Sequence, residues 1–166
     1  MKYNFDVIVI GSGPGGYVAA IKSAQLGLNV AIIEKEEIGG VCLNWGCIPT
    51  KTLLRSAEIA DLIRNSKDFG INISDYKFDL PKMVERSKNV ALRLSNGVKY
   101  LLAKNKISLI KGIAKFVDSK TLSIYQEDQN KSDIVTAENI IIATGAKPKE
   151  LSTLPVDGNV IWNYRN

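Results

Sequence analysis

The sequence has no histidine among its 166 residues. Because histidine is the side chain that most often moves protons near neutral pH, a reaction that needs a general acid or base must take that group from elsewhere. There is also no run of about 18 apolar residues, the length that a membrane-spanning helix requires, and no leader with a cleavage site follows Met1. These absences predict a cytoplasmic chain that does not span a membrane.

Cysteine is scarce as well, since Cys42 and Cys47 are the only two in the sequence. A zinc site usually has a shorter spacing within each ligand pair and needs further Cys or His ligands, so we expect no metal. In a reducing compartment a persistent structural disulfide is rare. A single cysteine pair has three possible interpretations, which are two inert core thiols, a metal half-site and a redox couple. Of these the redox couple is favoured.

Charge is not concentrated in any one stretch. The net charge is +5, but many lysines alternate with acidic residues, as in the sequence Glu-Lys-Glu-Glu over 34–37. That pattern is typical of a solvated surface and does not indicate a basic groove. We therefore expect no nucleic-acid partner.

The N-terminal stretch has the order strand, glycine-rich loop, helix. A β-branched run over 5–10 is typical of a strand buried in a parallel sheet, and a helix is predicted over 17–26. Between them, Gly11, Gly13 and Gly16 have the spacing G-x-G-x-x-G. These glycines predict, in turn, a tight turn, close approach of the backbone to a pyrophosphate, and close packing of the helix on the strand.

An acidic residue follows at the distance that this motif requires. Glu34 lies 18 residues beyond Gly16, since 34 − 16 = 18, at the end of a second predicted strand over 28–33. There a carboxylate can accept hydrogen bonds from ribose hydroxyls, and the helix start offers free N–H groups to phosphate. The pattern predicts dinucleotide binding, FAD or NAD, against the alternative of a purely structural turn.

The cysteines lie in the stretch Gly39–Lys51, which reads GGVCLNWGCIPTK. Positions i and i+5 of one helix are further apart than a disulfide permits, about 7 Å between Cα atoms, so a redox couple requires one cysteine outside the helix. Pro49 indicates the helix start. We expect Cys42 in a loop, Cys47 at the helix N-terminus, where the pKa of a thiol falls, and Lys51 about one turn further on.

Two longer helices are predicted over 52–66 and 80–105, and both are expected to pack on the core. The apolar side of the second helix is predicted to consist of Met83, Val84, Val90, Leu94, Val98, Leu101 and Leu102. These positions do not keep a strict heptad, so a coiled coil is the weaker alternative.

Strands complete the second half of the sequence. A strand is predicted over 107–110. Strands over 121–125 and 133–137, with a polar turn over 126–132, predict an antiparallel hairpin or meander. A further buried strand is predicted to end at Ala143-Thr144-Gly145.

Three blocks, GSGPGG, GGVCLNWGCIPTK and ATG, together resemble the flavin-dependent pyridine nucleotide–disulfide oxidoreductases. Within that family the chain is most similar to the dihydrolipoamide dehydrogenases, which reoxidise lipoyl dithiols and pass the electrons through a disulfide and FAD to NAD+. Glutathione and mercuric reductases, which usually carry Val at positions 43 and 48, and a non-catalytic flavin-binding module remain alternatives. The resemblance implies an α/β fold, a Rossmann-like FAD-binding domain with a parallel sheet, helices and an antiparallel β-meander.

The resemblance also implies roles for individual residues. Cys42 matches the thiol that exchanges with the lipoyl dithiol, Cys47 the thiolate against the flavin, and Lys51 a lysine near the flavin's reactive edge. The residues expected to bind the cofactor are Gly11, Ser12, Gly13, Pro14, Gly15, Gly16, Glu34, Lys35, Gly40, Val41, Cys42, Cys47, Lys51, Gly112, Ala114, Ala143, Thr144 and Gly145.

Finally, the resemblance implies a division of the chain. Residues 1–150 would be an FAD-binding domain, incomplete relative to the family, and 151–166 a connection toward an absent NAD-binding domain. The full-length protein would bind FAD tightly, use NAD as co-substrate, form a homodimer and act on lipoyl domains of 2-oxo-acid dehydrogenase complexes. The 166 residues alone are expected to be inactive.

Overall fold

A computed structural model describes residues 4–126 and 131–165, and for residue 131 the backbone alone. Within these ranges the helices and strands are β1 (Phe5–Ile10), α1 (Pro14–Gln25), β2 (Val30–Glu34), α2 (Gly40–Asn44), α3 (Cys47–Arg64), a 3-10 turn (Ser66–Phe69), α4 (Leu80–Lys104), β3 (Ser108–Lys111), β4 (Ile113–Phe116), β5 (Thr121–Gln126) and β6 (Lys131–Ile142). Residues 127–130 of the predicted polar turn lie outside the described residues.

The six strands form one sheet in the order β3-β2-β1-β6-β5-β4. The first four are parallel neighbours, and β4 and β5 add antiparallel pairs at the other end. The crossover from β1 to β2 passes through α1, and the crossover from β2 to β3 passes through α2, α3 and α4. The predicted α/β fold, a parallel sheet with helices and an antiparallel meander, is confirmed.

The first crossover begins earlier in the sequence than predicted. Helix α1 starts at Pro14, three positions before the predicted start at residue 17, because proline fits the first turn of a helix. It ends beside Gly27, whose φ of +88° is the left-handed conformation expected after a helix. Gly15 and Gly16 therefore lie in the first turn of α1.

Strand β6 corrects two predictions. The sequence suggested a short hairpin strand followed by a separate buried strand, but the structure has one continuous strand of 12 residues. Its first half pairs antiparallel with β5 and its second half pairs parallel with β1. The strand is also not fully buried: Ala137 is inaccessible, whereas Ile142 is 65% exposed.

The core lies on both faces of the parallel strands. Because side chains alternate along a strand, Val7 and Val9 face the cluster that includes residues of α1 and α4, while Ile8 faces the opposite cluster. That second cluster contains Leu122 and Ile124 of β5. The antiparallel strands therefore cover the face of the parallel sheet that the helices leave open.

Helix α3 differs from the prediction that it packs mostly on the core. Thr52 is its one buried residue, whereas Leu54 and Ile59 are 62% and 43% exposed. The helix lies against α4 instead of the sheet: Ser87 and Arg86 of α4 donate hydrogen bonds to backbone carbonyls of α3. None of the helices in the described part of the chain has the length and hydropathy needed to cross a membrane.

Helix α4 buries a different side from the one predicted. Its buried residues are Ser87, Ala91, Ser95, Val98 and Leu102. Of the predicted apolar side, Val98 and Leu102 are buried, while Val84, Leu94 and Leu101 are exposed. Small side chains on the N-terminal half of the helix let α2 and α3 approach its backbone, and this packing overrides the apolar periodicity.

Candidate functional site

The glycine-rich loop joins β1 to α1, and its three motif glycines differ in whether the surrounding atoms leave room for a side chain. Gly11 has a φ of +98°, and a Cβ there would overlap the carbonyl oxygen of Ala143. A Cβ on Gly16 would overlap the carbonyl oxygen of Gly11. Gly13 has neither constraint, since its φ is −65° and a Cβ would lie 4.0 Å from the nearest atom, Gly40 Cα. Packing within the chain therefore requires Gly11 and Gly16 but not Gly13.

The start of α1 is open to an anion. Its N-cap residue, Gly13, provides no side-chain hydrogen bond, and the first turn contains no acidic residue. The first N–H groups of a helix have no partner within the helix, and they carry the positive end of its dipole. A phosphate beside Gly13 would meet these N–H groups without an obstructing side chain.

Glu34 connects the end of β2 to the glycine loop. One carboxylate oxygen accepts hydrogen bonds from the Ser12 backbone N–H at 2.8 Å and from the Ser12 hydroxyl at 2.6 Å. The other accepts from the Glu36 N–H at 2.8 Å. Ser12 is fully buried, and its carbonyl accepts from the Gly39 N–H. These bonds fix the loop, the end of β2 and the approach to α2 relative to one another.

The two cysteines form a disulfide, with 4.7 Å between their Cα atoms. Cys47 is the first residue of α3, as predicted, but Cys42 lies inside the short helix α2 and not in a loop. The two helices are separated by a break at Trp45 and Gly46, and because the two cysteines do not share one continuous helix, residues five positions apart lie within bonding distance. Cys47 is exposed and Cys42 is half-buried.

Residues 38–51, called the redox segment below, contain both cysteines. Side chains of α4 and of Asn44 donate hydrogen bonds to backbone carbonyls of this segment. The buried Ser95 hydroxyl donates to the Ile38 carbonyl at 2.9 Å, and Ser87 donates to the Pro49 carbonyl at 3.2 Å. Asn44 donates to the carbonyls of Ile38 and Gly40, both at 3.0 Å. The segment that carries the disulfide is therefore fixed at both ends.

The glycine loop, the end of β2 and the disulfide surround one cleft of about 960 Å³. Most of the predicted site residues line it, namely Gly11, Ser12, Gly13, Pro14, Glu34, Lys35, Gly40, Val41, Cys42, Cys47, Gly112, Ala114, Ala143, Thr144 and Gly145. The cleft lies at the carboxyl ends of β1 and β2, the edge of the sheet where α/β proteins bind ligands.

Three of the predicted site residues do not line the cleft. Gly15 and Gly16 lie behind it in the first turn of α1, and Lys51 lies at an exposed position of α3. Their roles toward a cofactor remain predictions.

Gly112, which does line the cleft, has a φ of +149°, and a Cβ there would lie 2.7 Å from both the Ile124 side chain and the Tyr125 carbonyl oxygen.

Sequence reasoning missed a further group of residues lining the cleft, which consists of Ile10, Ile33, Glu36, Glu37, Trp45, Gly46, Ile113, Ala146, Lys147, Pro148, Tyr164 and Arg165. Trp45 and Gly46 lie between the two cysteines, and this position could have indicated them. Tyr164 and Arg165 carry no such signal, because a long-range contact brings them to the cleft.

That contact centres on the Arg165 guanidinium. It lies 2.6 Å from a Glu36 carboxylate oxygen and stacks over the Trp45 ring, 4.1 Å from the ring centroid. The hydrogen bond from Arg165 holds the pKa of Glu36 below its usual value, and the charge of Lys35 acts in the same direction. The same hydrogen bond raises the pKa of Arg165.

The cleft fits a flavin dinucleotide better than a metal ion. Within residues 4–126 and 131–165, no three Asp, Glu, Cys or His side chains cluster to hold a metal. The cleft combines a loop open to phosphate, a carboxylate near the end of β2 and a disulfide. The loop and the carboxylate are features of a dinucleotide-binding site, and the disulfide beside them can accept two electrons.

Comparisons with known proteins agree with this geometry. A family profile described as pyridine nucleotide-disulphide oxidoreductase matches residues 5–165. The dihydrolipoyl dehydrogenase of Zymomonas mobilis subsp. mobilis is 46% identical over 166 residues, which are 100% of this chain and 35% of that protein. The dihydrolipoyl dehydrogenase of Chlorobaculum parvum is 49% identical over 161 residues, 97% of this chain and 34% of that protein.

A third relative, the dihydrolipoyl dehydrogenase of Bacillus subtilis, is 44% identical over 160 residues, 95% of this chain and 34% of its own length. The chain thus spans about a third of the length of these curated relatives. The family implies a flavin cofactor. With its profile matched over almost the whole sequence, the chain belongs to the pyridine nucleotide-disulphide oxidoreductase family of enzymes.

Proposed function

We propose that the chain is the FAD-binding part of a dihydrolipoamide dehydrogenase, in which Cys42 and Cys47 receive electrons from a lipoyl dithiol. The observation that carries this proposal is the position of the Cys42–Cys47 disulfide on the same cleft as the glycine loop and Glu34. A disulfide that opens onto a dinucleotide cleft can exchange electrons with a flavin held there.

The chain's residues divide the proposed binding task. The backbone beside Gly13 and the N-terminus of α1 would hold the pyrophosphate. Glu34, which Ser12 and Glu36 orient through three hydrogen bonds, would accept from a ribose hydroxyl with its remaining lone pair. The bound flavin would supply a two-electron acceptor between the cysteine pair and NAD+.

The thiol chemistry balances within the cysteine pair and its substrate. One lipoyl thiolate attacks the Cys42 sulfur, the Cys42–Cys47 bond breaks, and Cys47 leaves as a thiolate with the electron pair. The second lipoyl thiol loses its proton to a base and attacks the mixed disulfide. The lipoyl group leaves oxidised, and Cys42 takes up a proton. The substrate has then lost two electrons, which reside on the reduced pair.

The position of Cys47 supports its part in this scheme. It is the first residue of α3, an 18-residue helix with no acidic residue in its first turn. The positive end of the helix dipole there favours a thiolate. Exposure alone does not identify the attacked sulfur, since Cys47 is exposed and Cys42 half-buried. The assignment of Cys42 follows the family resemblance.

The remaining parts of the proposal concern the longer protein. Its partners would be lipoyl domains of 2-oxo-acid dehydrogenase complexes, its co-substrate NAD+, its assembly a homodimer and its location the cytoplasm. The base for the second lipoyl thiol would come from outside these 166 residues, since they include no histidine. We therefore expect no NAD+ reduction by the 166 residues alone.

The test is an anaerobic titration of the FAD-loaded chain with dihydrolipoamide at about pH 8.5, where a large share of the lipoyl thiols ionises without a protein base. We expect two new thiols per chain and a long-wavelength absorption band beside the flavin spectrum. The Cys42→Ser and Cys47→Ser variants serve as matched controls, and neither should yield the pair of thiols. A wild-type chain that binds FAD and releases no thiols would contradict the proposal. Thiol release with glutathione and not with dihydrolipoamide would favour a glutathione-type reductase.

A further inference from the structure

Two residues far along the chain return to the cleft. Tyr164 and Arg165 line it together with the glycine loop and the disulfide. Arg165 bonds to Glu36, 129 positions earlier in the sequence. The stretch that ends at Arg165 therefore returns to the cleft after the end of β6.

The Arg165 guanidinium connects two walls of this cleft. On one wall it pairs with Glu36, which lies two positions after Glu34 and donates its N–H to the Glu34 carboxylate. On the other wall it stacks over Trp45, which lies between the two cysteines. One side chain thus joins the end of β2 to the segment that carries the disulfide.

Arginine is the residue suited to this double contact. A planar guanidinium can donate from its edge to a carboxylate while its face stacks on an aromatic ring. A lysine ammonium is a compact charge and does not present both an edge and a face. Both partners are partly exposed, since the side chains of Arg165 and Glu36 are each 39% accessible. Such a contact can open and close without unfolding the core.

We propose that Arg165 is a clasp that joins Trp45 to Glu36 across the mouth of the cleft and slows the release of the bound flavin nucleotide. The proposal rests on the proposed function, because it takes a flavin dinucleotide as the occupant. Arg165 acts through Trp45 and Glu36 and is a positioning residue. With the clasp closed, the Arg165 side chain spans the two walls and hinders the nucleotide from leaving. With the clasp open, this obstruction is removed.

The first experiment measures flavin release. Flavin fluorescence is followed after dilution of the FAD-loaded chain, for the wild type, Arg165→Met and Arg165→Lys. We expect Arg165→Met to release FAD about five-fold faster, because it loses both the stacking and the ion pair. Arg165→Lys keeps the charge and weakens the contact with the ring, so we expect an intermediate rate.

A matched control comes from another arginine pair. Arg55 and Glu58 also lie 2.6 Å apart and are exposed, but neither lines the cleft. Arg55→Met removes the same charge and should leave the rate of FAD release unchanged. If it accelerates release as much as Arg165→Met does, net charge is the cause, and the clasp is refuted.

The second experiment needs no cofactor. In a Trp162→Phe background, Trp45 is the one remaining tryptophan, and acrylamide quenching reports how well its ring is covered. We expect Arg165→Met to increase quenching of the flavin-free chain, with partial rescue by Arg165→Lys. Unchanged quenching would overturn the contact itself.

The outcomes separate the two proposals. Increased quenching with unchanged FAD release would overturn the clasp and leave the proposed function intact. Failure of the wild-type chain to bind FAD would overturn the proposed function and, with it, the role of the clasp. Increased quenching together with faster release, absent from Arg55→Met, supports the clasp.

Discussion

The hydroxyl of Ser95 donates a hydrogen bond of 2.9 Å to the carbonyl of Ile38, 57 positions earlier in the chain. Ile38 directly precedes the glycine pair at which α2 begins, so this bond fixes the entry to the redox segment against α4. Both residues are buried. The orientation of the disulfide segment thus depends on a polar contact that the apolar pattern of α4 does not indicate.

Replacing Ser95 by Ala should destabilise the fold moderately. The Ile38 carbonyl would keep its bond from Asn44 at 3.0 Å, so we expect a loss of about 1 kcal/mol in the free energy of unfolding. Denaturant unfolding measures it. Ser56→Ala is the control, because the Ser56 hydroxyl bonds to Thr52 within its own helix. Equal losses in the two variants would mean that the hydrogen bond between α4 and the redox segment stabilises the fold no more than a hydrogen bond within one helix.

Ser12→Ala tests the connection between the glycine loop and β2. The fully buried Ser12 hydroxyl donates to the Glu34 carboxylate at 2.6 Å, and its loss leaves two backbone donors on that carboxylate. Because hydrogen bonds to charged groups are the stronger ones, we expect a loss of about 1.5 to 3 kcal/mol in unfolding free energy. Ser108→Ala, at an exposed position of β3, is the control and should change stability by less than about 0.5 kcal/mol.

The sequence predicts much of this architecture because the relevant signals are local. The strand over 5–10 and the helix start at Cys47 depend on neighbouring residues. The constraint on Gly16 is likewise local, since a Cβ there would overlap the carbonyl oxygen of Gly11. The strand and the helix start are confirmed to within a few residues, and the role of Gly13 toward a pyrophosphate stays a prediction.

The misses have a common physical cause, which is packing between distant segments. The buried side of α4 is set by where α2 and α3 approach it, so small and polar residues occupy positions that periodicity assigns elsewhere. The continuity of β6 depends on its pairing with both β1 and β5. The place of Arg165 depends on partners 120 and 129 positions away, Trp45 and Glu36.

A comparison of two glycine variants separates folding from binding. In Gly16→Ala the new Cβ would overlap the Gly11 carbonyl, so we expect a loss of several kcal/mol or failure to fold. In Gly13→Ala the Cβ meets nothing closer than 4.0 Å, so unfolding free energy should change by about 1 kcal/mol or less. FAD affinity should nevertheless fall in Gly13→Ala. Denaturant unfolding and FAD titration measure the two effects, and undiminished FAD affinity would contradict the phosphate role of Gly13.

Gly97 offers a stabilising change. It lies in the interior of α4 at an exposed position, and a Cβ there would meet nothing within 4 Å. Since glycine in a helix interior costs about 0.5 to 1 kcal/mol relative to alanine, Gly97→Ala should raise the unfolding free energy by that amount. Thermal unfolding measures it. A lower melting temperature would mean that this face of the helix makes a close contact that the added methyl group disrupts.

Acid should open the contact between Glu36 and Arg165 before the chain unfolds. The hydrogen bond from Arg165 holds the pKa of Glu36 below its usual 4.5 in the folded chain. A carboxyl group whose folded-state pKa is lowered stabilises the folded state above its unfolded-state pKa, and this contribution disappears as pH falls through the folded-state pKa. Arg165 stays charged throughout, so Glu36 alone titrates within the pair.

The measurement is Trp45 fluorescence in the Trp162→Phe background, titrated from about pH 6 down to pH 3. We expect a change below the usual Glu36 pKa that salt weakens, because the pair is partly exposed. In Glu36→Gln the change should vanish. Asp118 and Asp157 also have lowered pKa values, through backbone hydrogen bonds from Lys120 and Ile161 respectively, and they titrate in acid too. If the acid transition persists in Glu36→Gln, it arises from those carboxyl groups or from global unfolding. The assignment of the transition to Glu36 would then be wrong.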